Sequence, residues 1–237
     1  MTGPIAAHAS AEPPAASAER PAEPGFVADT RAFYDTVAED YSRQFHDVLA
    51  RLPTERAVLG LYAELVGGGG RVADLGCGPG EVTGLLAALG LDVWGLDLSA
   101  SMLAIARRGN PGLRFERGSM LDLAAAGVAD GSLDGVVCWY SSLHTPTEEL
   151  PRLFAGFRRV LAPGGHLLVA FQVGDEPKRH ERPWGHPVSL DFRRRRPGTV
   201  TALLTAAGFS VRSTTVRAPE TGQGEAVPQA YVVARAE

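Results

Sequence analysis

The residues Val72-Ala73-Asp74-Leu75-Gly76-Cys77-Gly78-Pro79-Gly80 run an apolar strand into three glycines at alternate positions, and Asp97 closes a second apolar run seventeen residues later. A strand that enters a helix through a glycine-rich turn lets a ligand approach the backbone closely, because no Cβ intervenes and positive φ is allowed. An acid at the end of the next strand is placed to accept hydrogen bonds from a ribose diol. Together they describe a site for an adenosine-containing ligand.

The glycine spacing separates two kinds of such ligand. A dinucleotide fingerprint requires G-x-G-x-x-G, its third glycine allowing close helix packing and its turn amides meeting a pyrophosphate. Counted from Gly76, that third position is Glu81. An acid at a helix N-terminus repels a pyrophosphate and suits an ammonium or sulfonium. The string from Asp74 to Gly80 resembles the first motif of the class I S-adenosylmethionine-dependent methyltransferases, an acid-leucine-glycine-x-glycine-x-glycine sequence. Val93-Trp94-Gly95-Leu96-Asp97-Leu98-Ser99-Ala100-Ser101-Met102-Leu103 is similar to the second motif of that family. Phe115-Glu116-Arg117-Gly118-Ser119-Met120 is similar to the third, with Ser119 where the family often has Asp, and Leu161-Ala162-Pro163-Gly164-Gly165-His166 to the turn before its fifth strand.

The resemblance implies a doubly wound, Rossmann-like α/β fold with a seven-stranded, mostly parallel sheet ending in an antiparallel hairpin. It implies S-adenosyl-L-methionine as cofactor, with Asp97 on the ribose, Met102 against the adenine and Asp74 near the amino group. The full set implied for the cofactor is Tyr34, Tyr41, Asp74, Gly76, Cys77, Gly78, Gly80, Asp97, Leu98, Met102, Gly118, Ser119, Met120 and Trp139. Tyr34 and Tyr41, seven residues apart, share one helical face. They read either as packing or, as in relatives with a Tyr-Asp-x-x-Ala-x-x-Tyr entry helix, as hydroxyls reaching the cofactor's carboxylate.

On the acceptor side stands Cys138-Trp139-Tyr140-Ser141-Ser142-Leu143-His144, since doubly wound sheets bind ligands beyond strand carboxyl ends. His144 and Tyr140 are the catalytic candidates. His144 reads equally as a general base or as a histidine holding its own loop. The segment lacks the acid-or-amide, Pro-Pro-aromatic string of many nucleic-acid amino-group methylases, which points to a small-molecule acceptor methylated on O, N or C. The alternatives are a cofactor-binding protein or cyclase without methyl transfer and, below them, an NAD(P)-dependent oxidoreductase. His180, His186, Arg182 and Trp184 fall in an irregular stretch, 173–196, expected to be a substrate loop. No His/Cys/Asp cluster has ligand spacing, so no metal is expected. Arg193 to Arg196 read as a solvated face before a helix or, alternatively, as a patch steering an anionic acceptor.

These groups need a scaffold. At 237 residues and 45% hydrophobic content, one domain with a sizeable core is expected. A net charge of −4 with a pI near 5.9 argues against nucleic acid as partner. Cys77 and Cys138 read as reduced and buried. Residues 1 to 25 are rich in Ala, Pro and Glu and read as a disordered tail, leaving 26–237 as the domain. No apolar run approaches the roughly 18 residues that cross a bilayer, so a cytoplasmic protein is expected. Nothing in the sequence fixes an oligomeric state. Helices are expected from a cap at Asp29, at 54–66 in the 26–66 entry region, at 80–89, 100–108 and 198–207, and from a capping box at Thr145-Pro146-Thr147-Glu148 to about 161. Strands are expected at 71–75, 91–96, 113–117, 133–139, 165–172, 209–217 and 229–235.

Overall fold

The computed structural model describes residues 23–237; most of the expected tail, residues 1 to 25, lies outside them. The helices are α1 (Gly25–Phe45), α2 (Val48–Arg51), α3 (Pro53–Val66), α4 (Glu81–Ala88), α5 (Ala100–Gly109), α6 (Leu150–Val160) and α7 (Pro197–Ala206). The strands are β1 (Arg71–Leu75), β2 (Asp92–Asp97), β3 (Phe115–Arg117), β4 (Leu133–Trp139), β5 (Leu161–Gln172), β6 (Lys178–Glu181), β7 (Ser189–Phe192), β8 (Phe209–Arg217) and β9 (Gln229–Ala236). Seven strands form one sheet in the order β3-β2-β1-β4-β5-β9-β8, parallel except that β9 runs antiparallel to both β5 and β8. This is the doubly wound sheet with a terminal hairpin that the motifs implied.

The order reverses between β1 and β4, which both start from the sheet's centre and send their connections to opposite sides. At such a switch point the two loops diverge and leave a crevice beyond the strand ends. The strands beneath it are apolar on both faces: Val72, Ala73 and Leu75 of β1 and Val136, Val137 and Cys138 of β4 have no exposed surface. Helices cover both sides. On α6, Leu150, Leu153, Phe154, Phe157 and Val160 recur at spacings of three and four and are at most 1% exposed, so one stripe closes the core against β4 and β5. No helix among the described residues is long and apolar enough to cross a membrane.

Three local expectations are corrected. The first helix starts at Gly25 after Pro24, so Asp29 lies inside it and caps nothing. The box at Thr145 does not form: its amide closes a short 3-10 turn on Ser142, its hydroxyl is buried without a partner, and α6 opens at Leu150 after a second 3-10 turn. The stretch 173–196 is not irregular throughout, because β6 and β7 pair antiparallel, with Lys178 opposite Phe192 and His180 opposite Leu190.

Candidate active site

Gly76, Gly78 and Gly80 have φ of 76°, 52° and 84°, so the alternate glycines of the loop all occupy the left-handed region that side chains disfavour. Their uses differ. A Cβ on Gly76 would lie 2.3 Å from Ser141 Cβ, and one on Gly80 would meet Ala106 and Phe115 at 3.0 Å, whereas one on Gly78 would meet nothing within 4 Å. Gly76 and Gly80 serve the packing of the loop against its neighbours, and Gly78 faces open space.

Asp97 holds that loop. Its Oδ2 accepts from the Gly78 amide at 2.8 Å and its Oδ1 from the Ser99 amide at 2.8 Å. Burial raises its pKa, with the two amides pulling it back down. Ser99 in turn caps α5 by accepting from the Met102 amide at 3.1 Å, while its hydroxyl donates to Asp35 at 2.6 Å. Asp35 was not singled out in the sequence; it joins α1 to the start of α5. Asp74 lies deeper, 1% exposed: its Oδ2 accepts from the Thr83 hydroxyl at 2.7 Å and its Oδ1 is buried without a partner. Desolvation pushes its pKa up to about 7.

Two cavities open over these groups. A smaller one, about 100 Å³, is lined by Asp97, Leu98, Met102, Gly118, Ser119, Met120 and His144 together with residues of α1. A larger one, about 570 Å³, reaches from Asp74 and Cys77 across to the β6–β7 hairpin. Tyr34, Tyr41, Gly76, Gly78, Trp139 and Tyr140 line both. All the sequence-derived cofactor residues therefore face one or the other cavity except Gly80, which lines neither. His180 and Trp184 face the larger cavity; His186 instead bonds Asp40 at 2.8 Å. Among the described residues no cluster of His, Cys, Asp and Glu could hold a metal ion.

The two catalytic candidates are both engaged. The Tyr140 hydroxyl lies 3.0 Å from that of Tyr231, which donates to Glu55, and Glu55 is ion-paired with Arg217. Tyr140 also has φ 55°, a strained conformation for a bulky residue at the end of β4. His144 is 5% exposed, with Nε2 2.9 Å from the Tyr34 hydroxyl and Nδ1 3.3 Å from the Asp191 carbonyl. A proton on Nδ1 satisfies the carbonyl and leaves Nε2 to accept from Tyr34. Desolvation drives the imidazole pKa down to about 4.

The arginine run departs from its expected solvated role. Arg193 Nη1 donates to the His144 carbonyl at 3.0 Å, and Arg195, 5% exposed, donates to the Thr145 carbonyl at 2.6 Å, so both brace the loop that carries His144. Arg196 pairs with Asp175 on the surface, and Arg194 lines the larger cavity. Glu55, Tyr231 and Arg217 were also missed, their contacts spanning up to 176 residues of sequence.

Residues 72–165 match the family described as methyltransferase domain. The chain is similar to trans-aconitate 2-methyltransferase of Variovorax paradoxus, 33% identical over 190 residues that make up 75% of this chain and 64% of that protein. It is also similar to demethylmenaquinone methyltransferase of Renibacterium salmoninarum, 35% identical over 60% of this chain and 58% of that one. The chain spans about half to just under two thirds of the length of the curated relatives it matches. Among solved structures, the 1,6-didemethyltoxoflavin-N1-methyltransferase of Burkholderia thailandensis superposes with a TM-score of 0.70 over 93% of each chain at 19% identity.

Proposed function

We propose that the chain, whose residues 72–165 match the methyltransferase domain family and whose fold is that of solved methyltransferases, is a class I S-adenosylmethionine-dependent methyltransferase that transfers the cofactor's methyl group to a nucleophilic atom of a small-molecule acceptor. One observation carries the reading. The narrow cleft beside Asp97 and the larger cavity meet at Gly76, Gly78, Trp139 and Tyr140, so a two-part ligand in the cleft presents its far end to a second ligand in the cavity.

The residues fit the cofactor. Asp97 stands where a ribose diol can donate to it, Gly78 leaves space for close approach, and Met102 and Met120 offer apolar surface for a base. The unpartnered Oδ1 of Asp74, buried beneath the loop, is an acceptor whose ionisation a nearby ammonium would favour. When bound, the cofactor supplies a methyl group already activated by a sulfonium. The protein's part is then alignment and exclusion of water, and holding two reactants in line is worth roughly 7–11 kcal/mol in well-oriented systems. Trp139 and Tyr140 form the shared wall at the junction and set the line of approach. His144, neutral and bonded at both nitrogens, serves as a pin between α1, β7 and its own loop, and the transfer uses an acceptor that is itself nucleophilic.

Incubation of the full chain with methyl-labelled cofactor and a panel of small-molecule acceptors tests the reading. Label transfer to an acceptor is expected. Tight retention of cofactor with no labelled product from any acceptor would leave a cofactor-binding protein or cyclase instead, and calorimetric affinity for NADH without affinity for S-adenosylhomocysteine would overturn the cofactor itself.

A further inference from the structure

The larger cavity carries unbalanced charge at its hairpin end. Side chains along a strand alternate between faces, and β6 and β7 sort their charges by that alternation. Arg179 pairs with Asp191 at 3.0 Å and approaches Glu181 at 3.8 Å, and none of these three lines the cavity. Lys178 and His180, at the alternate positions, do line it, as do Phe192 opposite Lys178 and Arg194 two residues beyond Phe192.

Among the described residues neither Lys178 nor Arg194 has a carboxylate within ion-pair distance, and Arg194 Nε is buried without a hydrogen-bond partner. The acids that share the cavity make their ion pairs and hydrogen bonds away from these two cations, and the unpartnered Asp74 Oδ1 and Glu55 Oε2 pair with neither. Glu55 and Glu225 both pair with Arg217, Glu81 accepts from the Asp47 amide, and Asp74 accepts from Thr83. The two cations also lie close enough to His180 to add to the burial that lowers its pKa, so all three form one cluster. A buried guanidinium nitrogen without an acceptor is a desolvation cost that an anionic oxygen would offset.

We propose that the methyl acceptor carries a carboxylate held by Arg194 and Lys178, with the Phe192 ring beside its stem. A guanidinium fork matches the two oxygens of a carboxylate in one plane, and the ammonium adds a second, mobile donor. His180 packs on Phe192 with ring centroids 4.4 Å apart and planes tilted by 45°, giving an aromatic wall that offers a ring face and edge to an unsaturated or aromatic stem. This rests on the methyl-transfer reading, since it names what occupies the cavity that reading assigns to the acceptor.

Calorimetry on the full chain saturated with S-adenosylhomocysteine tests it, with trans-cinnamate, salicylate and trans-aconitate as probes, each beside its neutral amide, and with phenyl phosphate as a second anion. At least one carboxylate is expected to bind about tenfold or more tightly than its amide, the scale of one charged hydrogen bond. Arg194→Ala and Lys178→Ala should each weaken that carboxylate about tenfold with S-adenosylhomocysteine affinity unchanged, Arg194→Lys should recover part, and Arg212→Ala, on exposed β8, should change neither. The proposal is overturned if carboxylates and amides bind alike, if none of the carboxylates binds, if phenyl phosphate alone binds, or if the Ala variants bind as the parent does. In each of those cases an unaltered S-adenosylhomocysteine affinity leaves the methyl-transfer reading standing. Absence of that affinity in the parent overturns both.

Discussion

The Tyr34 hydroxyl and His144 Nε2 lie 2.9 Å apart across 110 residues of sequence, and this contact fastens the first helix to the loop after the fourth strand at the wall of the smaller cavity. Burial raises the pKa of the tyrosine well above its usual value and lowers that of the histidine, so both groups are neutral around pH 7 and share one proton donor and one acceptor. A group with a pKa near 4 is a weak base at neutral pH.

Replacing His144 by Ala should therefore act on structure and rate together. It removes Nε2, leaves the Tyr34 hydroxyl and Asp191 carbonyl without their partner, and should lower stability by about 1–3 kcal/mol. Turnover should fall in parallel with cofactor affinity, and the shape of the pH-rate profile between pH 6 and 8 should not change. Chemical denaturation and steady-state kinetics on one preparation check this. A fall in turnover of about 10²-fold or more with intact stability and intact cofactor affinity would instead make His144 the base.

Asp97→Ala should weaken S-adenosylhomocysteine binding by roughly ten- to a hundredfold, from the loss of charged hydrogen bonds. The carboxylate also holds the Gly78 and Ser99 amides, so part of that loss comes from a loosened loop. Asp97→Asn keeps an acceptor for one amide. Its calorimetric affinity should fall between those of the parent and the Ala variant.

Phe157→Ala is the matched test of scaffold against site. The ring is fully buried on α6, 6.2 Å from Phe154, and faces neither cavity. Its removal should cost about 3–5 kcal/mol in urea unfolding. Affinity for S-adenosylhomocysteine, measured well below the unfolding transition, should stay near that of the parent.

What the sequence disclosed divides along physical lines. The glycine loop was legible because positive φ at alternate residues leaves few alternatives to glycine, and Asp97 because it ends a strand at a fixed interval from that loop. The central strands β1, β2, β4 and β5 were legible because buried parallel strands are nearly continuous apolar runs, and β8 because its residues alternate between more and less exposed positions. The β6–β7 hairpin was hidden because each strand is four residues long, its sequences KRHE and SLDF are mostly polar, and Pro183 and Pro187 interrupt the connection. Glu55 and Asp35 were hidden for another reason. Each takes its meaning from groups far away in the chain, and a lone acid on a helix has no local signature. The Thr145 box failed because that residue's amide was claimed by the preceding 3-10 turn.

Two buried groups whose pKa values are displaced in opposite senses make the pH dependence of stability a sensitive final test. Asp74 is raised from 3.8 to about 7, so the folded state holds its proton more tightly than the unfolded chain. Stability from this group is complete below about pH 4 and is lost as pH rises through 7, by about 4 kcal/mol in all. His144 is lowered from 6.5 to about 4, so its contribution is complete above about pH 6.5 and is lost as pH falls through 4, by about 3 kcal/mol. Between pH 4 and 6.5 the two slopes oppose each other and nearly cancel in the parent. Asp74→Asn should remove one of them: relative to the parent it should gain stability steadily from pH 4.5 to 7.5, while its affinity for S-adenosylhomocysteine falls. His144→Gln should do the reverse, losing its disadvantage relative to the parent as pH falls from 6.5 toward 4. Urea unfolding of parent and variants at pH 4.5, 5.5, 6.5 and 7.5 measures both differences, in which all other titrating groups cancel. A difference between Asp74→Asn and parent that does not change with pH would show that Asp74 ionises as an ordinary carboxylate, already charged at neutral pH without a cationic ligand beside it.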